Sequence, residues 1–110
     1  MLKIESVPVV PKTIILLPRA ETDIQAAYPW YEKRESGLGE VFLTAVDAAL
    51  AAIAQQPAIY PLISGSLRRN RVQRFPHSVF YNQDDRAAYV VAVFHSSRHP
   101  DRLRSRLKNL

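Results

Sequence analysis

Hydrophobic positions in the first half of the chain recur at helical spacing. The clearest set lies three or four residues apart, as on one face of an α-helix: Phe42, Val46, Ala49, Leu50 and Ile53. Gly37 and Gly39 precede this segment and Pro57 ends it. A second apolar face follows Pro18, which suits the first turn of a helix: Ala20, Ile24, Ala27, Tyr28 and Tyr31. The connection between the two segments is short, so the pattern predicts a helical hairpin.

Pro29 interrupts the first predicted helix. A proline inside a helix removes a backbone hydrogen bond and clashes with the preceding turn, at a cost of about 3 kcal/mol. We therefore expect a kink near Gln25–Tyr28, or two shorter helical pieces, with the helix resuming to about Glu35.

Short apolar or alternating runs lie on both sides of the hairpin and predict strands. Residues 12–17 read KTIILL, and three further strands are expected at 69–75, 78–82 and 87–94. Turn-forming residues separate them. The last run, AAYVVAVFH, is almost wholly apolar, which is typical of a strand buried on both faces. The order β-α-α-β-β-β, with a short basic helix at 101–110, predicts an α+β fold in which the hairpin covers the sheet.

The 110 residues are enough for one hydrophobic core, so we expect a single domain at 12–110 after an N-terminal arm at 1–11. The absence of cysteine excludes disulfides and thiolate zinc sites, and is compatible with a reducing cytosol. No apolar stretch approaches the roughly 20 residues that span a bilayer, and the arm lacks the apolar core of a secretory signal. We expect a cytoplasmic protein with no membrane partner.

Charge divides the chain into two unequal parts. Residues 68–110 carry ten Lys or Arg and three Asp, whereas residues 1–67 carry five Lys or Arg and seven Asp or Glu. A basic half on a small protein is typical of one that binds a polyanion or an acidic protein. The charge pattern therefore predicts a negatively charged partner, but it does not predict a reaction.

The element order and three segments resemble the RelE/ParE superfamily of type II toxin–antitoxin toxins, and the ParE-like branch most. The segments are Trp30–Ile63, RVQRFPHSVFY at 71–81 and VVAVFHSSRHPDRLRSRL at 90–107. The resemblance covers about residues 12–107 and departs at Pro29 and in the longer arm. It implies a curved antiparallel sheet packed on a helical hairpin, and a cognate antitoxin with an acidic or amphipathic segment. It also implies one of two targets: RelE-like members cut mRNA on the ribosome, and ParE-like members poison DNA gyrase.

Metal-free RNA cleavage needs a general base, a general acid and cations near the phosphate. The resemblance places such groups on the central strands and the C-terminal end, where this chain has Arg71, Arg74, His77, Tyr81, His95 and Arg98. If the chain is a nuclease, the catalytic candidates are Arg74, His95 and Arg98. In the competing interpretation, Arg71 and Arg74 lie on a solvated or partner-facing surface. Tyr81 then packs in the core, and His95 forms a hydrogen bond with a loop backbone. We favour the competing interpretation. The resemblance also implies a lysine-rich pattern in the strongest ribosome-dependent nucleases, and Lys108 is the only lysine in the basic half, which favours the ParE-like branch.

The candidate binding residues for the target or the antitoxin are the basic side chains of the second half and one tryptophan: Arg69, Arg71, Arg74, Arg98, Arg102, Arg104, Arg106 and Trp30. The run from Arg98 to Lys108 suits a solvated helix, a contact to nucleic acid, or a dock for an acidic antitoxin segment. Trp30 lies off the apolar helix face, so it is either an interface residue or a cover over Pro29 or the arm.

Cofactor and metal chemistry find little support in the sequence. His95 and His99 are four apart, but they follow a strand pattern and precede Pro100, which argues against the helix that would bring them together. Three glycines in total leave no phosphate-binding loop. We expect no cofactor and no metal. Three hypotheses stay open: a gyrase-binding toxin, a ribosome-dependent endoribonuclease, and a relative that has lost its toxicity.

Overall fold

The computed structural model describes residues 10–98 and 100–108. Within them the elements are β1 Thr13–Leu16, α1 Pro18–Arg34, α2 Leu38–Gln55, β2 Leu62–Ser64, β3 Leu67–Arg71, β4 His77–Gln83, β5 Ala87–His95 and α3 Pro100–Lys108. The strands form one sheet in the order β1-β5-β4-β3-β2. The pair β1–β5 is parallel and the other pairs are antiparallel. The predicted α+β fold is confirmed, but the sheet is mixed and not wholly antiparallel as expected, because β1 runs parallel to β5. The predicted arm lies outside the described residues except for Val10 and Pro11.

The α1–α2 hairpin closes tightly because its loop uses glycine twice. Gly37 precedes α2 with a φ of 89°, a conformation that disfavours any side chain. A Cβ on Gly39 would lie 2.7 Å from Cγ of Glu32 and 2.8 Å from the Tyr28 ring, so only glycine lets the helices approach this closely. Glu32 also accepts the Gly37 and Gly39 backbone N–H groups, at 3.2 and 2.8 Å. It thereby satisfies free amides at the start of α2.

Pro29 lies inside α1, which runs as one element from Pro18 to Arg34. The alternative of two shorter helices is therefore wrong. Packing beyond the proline supplies the physical reason. The Tyr31 ring is 6% exposed, stacks on Phe42 at 5.1 Å and meets the edge of Phe75 at 5.0 Å. These contacts hold the last turns of the helix and offset the hydrogen bond that Pro29 removes.

The hairpin seals one face of the sheet with the main hydrophobic core. Phe42 and Ile53 of α2 and Val79 and Tyr81 of β4 are fully buried there. The helix α2 is 18 residues long and apolar enough to be compared with a membrane-spanning helix. Its periodic apolar face nevertheless packs on the sheet, which is the behaviour of a core helix in this structure.

The strand β5 lies between β1 and β4 and is buried on both faces, as its apolar sequence predicts. A β-bulge divides it, because Phe80 faces Ala92 and Tyr81 faces Val90, which leaves Val91 as an extra residue. As a result, Val90 belongs to the core under the hairpin, whereas Val91 and Ala92 both belong to a second, smaller core.

The second core lies between the opposite face of the sheet and α3. Its buried members are Leu67, Val91, Ala92, Phe94 and Leu103, and the partly buried residues packed against it are Leu17, Phe80 and Leu107. The predicted C-terminal helix is confirmed, with Leu103 and Leu107 toward the sheet. The short strand β2 was not predicted, and β3 begins and ends earlier than expected, because residues 72–76 form the turn into β4.

Candidate functional site

A groove of about 800 Å³ lies on the face of the sheet that α3 covers only in part. Its floor is apolar and contains Phe80, Phe94 and Leu67, while Leu103 and Leu107 of α3 form one wall. The opposite wall includes Ile63 and Ser64 of the unpredicted strand β2. The groove therefore combines residues of β2, β3, β4 and β5 with residues of the C-terminal helix.

Arginines line the rim of this groove. Arg69 and Arg71 come from β3, Arg98 follows β5, and Arg104 comes from α3. Arg104 pairs with Asp101 at 3.4 Å. Among the described residues, no carboxylate forms an ion pair with the other three. The Arg98 guanidinium lies 4.8 Å from the centroid of Phe94, so it covers part of the apolar floor. The groove thus combines uncompensated positive charge with a hydrophobic base.

Arg74 does not join this group. It lies in the β3–β4 loop with a φ of 72°, in the left-handed region that non-glycine residues rarely adopt. It lines a second depression of about 460 Å³ against α2, which shares only Arg71 and Phe75 with the groove. The predicted catalytic trio is therefore split, with His95 and Arg98 in the groove and Arg74 elsewhere.

Arg106 is a buried structural residue, not a surface cation. Its side chain forms a bidentate ion pair with Asp23 of α1, with N–O distances of 2.5 and 3.1 Å, and both side chains are 8% exposed. Asp23 also accepts the Val93 N–H at 2.9 Å. The prediction of a partner-binding role for Arg106 is wrong in this structure, because the guanidinium is already committed to holding α3 against α1 and β5. Arg102 is exposed on α3 but does not line the groove.

The two histidines beside the groove are held by structural contacts. His95 lines the groove, and its Nδ1 accepts the Ser97 N–H at 3.0 Å, which is the loop hydrogen bond expected of a structural histidine. His77 is 8% exposed, and its Nδ1 lies 3.3 Å from the Tyr31 hydroxyl. Burial lowers the pKa of His77 to about 4, and the positive charges of His95 and Arg98 act in the same direction. His77 is therefore neutral at pH 7.

Tyr81 and Trp30 have opposite environments. Tyr81 is fully buried and donates its hydroxyl hydrogen to the Pro57 carbonyl at 2.8 Å, which confirms its core role. Burial raises the pKa of Tyr81 to about 12. Trp30 is 48% exposed, rests edge-on against Tyr31 and carries the Arg34 guanidinium 3.5 Å from its ring centroid. Its role as a partner contact stays a prediction.

The described residues contain no group of three or more His, Cys, Asp or Glu that would hold a metal ion. His99 lies outside them, so the His95–His99 pair has no structural description. The groove residues that the sequence did not reveal include Ile63, Ser64, Phe80 and Phe94. The alternation of the middle strand places Phe80 away from Val79 and Tyr81, and this signal was sufficient to find it.

Comparison with known proteins identifies the family. The family model described as the ParE toxin of the type II toxin–antitoxin system parDE matches residues 14–100. The chain belongs to this ParE toxin family. No curated protein sequence matches the chain significantly.

Solved structures support the same fold. A chain of the chromosomal ParDE system of P. aeruginosa superposes with a TM-score of 0.69 at 14% identity, covering 76% of this chain and 95% of that one. A chain of the Mycobacterium tuberculosis RelBE2 complex gives a TM-score of 0.58 at 19% identity, with coverage of 80% and 94%. The YoeB dimer of Staphylococcus aureus gives 0.54 at 17% identity, with coverage of 77% and 98%. The ParE family fold therefore extends over most of this chain.

Proposed function

We propose that this ParE family toxin stops growth in the cytoplasm by binding DNA gyrase, without hydrolysis of its own, and that a cognate antitoxin neutralises it by covering the groove. The observation that carries the non-hydrolytic part is the lack of an acid–base pair among the described groove residues. Arginine stays protonated and cannot act as a base. Buried His77, with its lowered pKa, cannot supply a proton at pH 7.

The antitoxin part of the proposal rests on the composition of the groove. An apolar floor suits the hydrophobic side of an amphipathic segment. Arg69, Arg71 and Arg98, which have no ion-pair partner among the described residues, suit its acidic side. Two of the similar structures are described as a toxin–antitoxin system and a toxin–antitoxin complex. A segment that orders on the toxin would cover its working surface and so hold it inactive.

Ribosome-dependent mRNA cleavage is the second candidate. One observation favours it: His95 and Arg98 line the same groove as Arg69 and Arg71. Since Ser97 already donates to Nδ1 of His95, only the Nε2 atom is left for proton transfer. This candidate therefore requires His95 to act with only one other histidine in the described groove lining, His77, which is buried and neutral at pH 7.

Expression of the chain without an antitoxin, followed by two assays of the purified protein, tests the proposal. We expect growth to stop and gyrase supercoiling to fall with accumulation of cleaved DNA, while mRNA in a translation extract stays intact. His95→Gln should leave all three results unchanged. Cleavage of ribosome-bound mRNA that His95→Gln abolishes, with folding intact by circular dichroism, would establish the ribonuclease instead. Normal growth on expression would indicate a relative without toxicity.

The role of the groove arginines has a matched control. The triple variant Arg69→Gln/Arg71→Gln/Arg98→Gln should weaken antitoxin binding at least tenfold. The control variant Arg19→Gln/Arg86→Gln/Arg102→Gln also removes three exposed arginines, all outside the groove, and should change affinity less than twofold. Equal losses in both variants would show that net charge alone matters, and the groove would no longer be the proposed antitoxin site.

A further inference from the structure

The side of α2 that faces away from the sheet is unusually apolar for a helix surface. Only five of the 18 residues of α2 are buried, although its sequence is as apolar as that of a membrane-spanning helix. The depression of about 460 Å³ lies between this side and the β3–β4 loop. Its apolar lining comes from α2, from the segment before β2 and from the β3–β4 loop: Val41, Ala45, Ala48, Ala52, Tyr60 and Phe75. This surface offers apolar area to a partner on the face of the sheet opposite the groove.

Charges of opposite sign flank this α2 surface. Arg71 and Arg74 lie on the side of the β3–β4 loop, and both line the depression. Asp47 is exposed and precedes Ala48, so it points about 100° away from that residue around the helix and does not line the depression. Glu40 lies seven residues before Asp47 and shares its side of the helix, where it is hydrogen-bonded to α1. The surface is therefore basic along its loop side and acidic along its α1 side.

The two flanks select the partner. A purely acidic segment or a nucleic acid would be attracted by Arg74 and repelled by Asp47 and Glu40. A complementary partner must carry both signs in the reverse order across an apolar centre. A second copy of this chain does so when two α2 helices face each other and run in the same direction, because a two-fold axis then sets the basic side of each copy against the acidic side of the other. If the two helices ran in opposite directions, like charges would meet.

The side chains between the flanks permit a close approach of the two helices. Thr44, Ala45 and Ala48 are small, and helices with small residues at their contact pack with their axes about 8 Å apart. Within the described part of the chain, neither Asp47 nor Arg74 forms an ion pair that dimerisation would have to break. Both side chains are therefore available to a second copy.

We propose that this chain forms a two-fold homodimer through the exposed side of α2, in which Asp47 of each copy pairs with Arg74 of the other. The groove stays accessible in this dimer, because it lies on the opposite face of the sheet and shares only Arg71 and Phe75 with the depression. Dimerisation and antitoxin binding are therefore independent, and one dimer binds two antitoxin segments.

Sedimentation equilibrium of the complete chain, without antitoxin, tests the dimer. We expect the average mass to rise from 12.5 kDa toward twice that value as the concentration increases from about 1 to about 100 µM. Ala48→Glu places a charge at the centre of the contact and should weaken self-association at least tenfold. Ala26→Glu changes an exposed alanine of α1 and should alter self-association less than twofold.

Charge reversal tests the pairing between copies. Asp47→Arg and Arg74→Asp should each weaken self-association at least tenfold, because each variant sets like charges against each other at both contacts. Aspartate tolerates the left-handed conformation at position 74, where φ is 72°. An equimolar mixture of the two variants should associate within about threefold of the unchanged chain, since every contact again joins opposite charges. Both positions are exposed, so these variants carry the test if Ala48→Glu does not fold by circular dichroism.

Four results would overturn the dimer. They are a chain that stays monomeric at about 100 µM, a dimer that folded Ala48→Glu leaves intact, a mixture that associates no better than its components, and a cognate antitoxin that displaces the second copy. The last result would give the α2 surface to the antitoxin. Because these measurements contain no gyrase, a toxin that fails to inhibit gyrase contradicts the proposed target and leaves the dimer intact.

Discussion

The two faces of the sheet differ in how completely they are covered. The hairpin closes one face with two long helices, and its large core residues, such as Phe42 and Ile53, have no solvent exposure. On the other face, the nine-residue α3 covers only part of the sheet and leaves the arginine-lined groove. The difference indicates that the two faces have different roles. The hairpin face supplies most of the burial that stabilises the fold. The groove face can therefore keep arginines without ion-pair partners among the described residues, and exposed apolar side chains, for a partner.

The largest expected effect is on the hairpin face. Phe42→Ala removes a fully buried ring that contacts Tyr31, Phe75 and His77. We expect the free energy of unfolding to fall by about 3–5 kcal/mol, because the surrounding side chains cannot close the cavity. Urea denaturation measures the loss. Val41→Ala, at a neighbouring exposed position, should change it by less than about 0.5 kcal/mol. A similar loss in both variants would contradict the sealed core.

The next effect concerns the ion pair that connects the two faces. Asp23→Ala leaves the buried Arg106 without its carboxylate, and removal of one partner of a buried pair costs about 3 kcal/mol or more. We expect lower stability in urea and faster proteolysis of α3. The double variant Asp23→Leu/Arg106→Met removes both charges and should recover much of the loss. If Asp23→Ala is neutral, the pair does not fix α3.

A smaller, pH-dependent effect comes from His77. Its pKa is about 4 in the folded chain against 6.5 for the free group, so between these values the unfolded chain binds a proton that the folded chain does not. The stabilisation by neutral His77 is therefore complete above pH 6.5 and is lost as the pH falls toward 4, by about 2–3 kcal/mol. Unfolding free energies of His77→Phe should decline less across this window. Parallel pH profiles for both proteins would contradict the prediction.

The smallest effect is expected outside both faces, at the exposed pair formed by Trp30 and Arg34. Loss of the guanidinium in Arg34→Gln removes a cation–π contact worth about 0.5–1 kcal/mol at an exposed site. The melting temperature should fall only slightly. Because Trp30 is the single tryptophan, its fluorescence should report the change directly. A large loss of stability would show that this pair supports the hairpin, and Trp30 would no longer be a candidate contact.

The periodicity of apolar residues predicted which segments form helices and strands better than it predicted which side chains line the groove. The helical spacing of α2 and the apolar run of β5 were sufficient for both elements, since each pattern reflects burial along one local segment. The strand β2 was missed because three residues carry no measurable period. The sequence also left open whether α1 continues through Pro29 or divides there, because the packing of Tyr31 that maintains the helix involves residues distant in sequence.

The basic residues illustrate the same limit. Their sequence predicted a positive surface, but it gave no way to separate Arg106 from Arg102 or Arg104. That separation depends on Asp23, which lies 83 residues away from Arg106. Arg74 likewise follows β3 closely in sequence, yet the turn that begins at Val72 carries it to the α2 side. Only the tertiary arrangement decides which cations share a groove.

The extra residue in β5 has a consequence for the opposite end of the chain. With Val91 bulged out of the ladder between Tyr81 and Phe80, its carbonyl accepts a hydrogen bond from the Arg106 guanidinium at 3.3 Å. If Val91 were absent, the strand pairs on either side of it would keep their register. The helix α3 would nevertheless lose the carbonyl oxygen that accepts the Arg106 hydrogen bond. The docking of the nine residues of α3 thus depends partly on a bulge in the middle of another element.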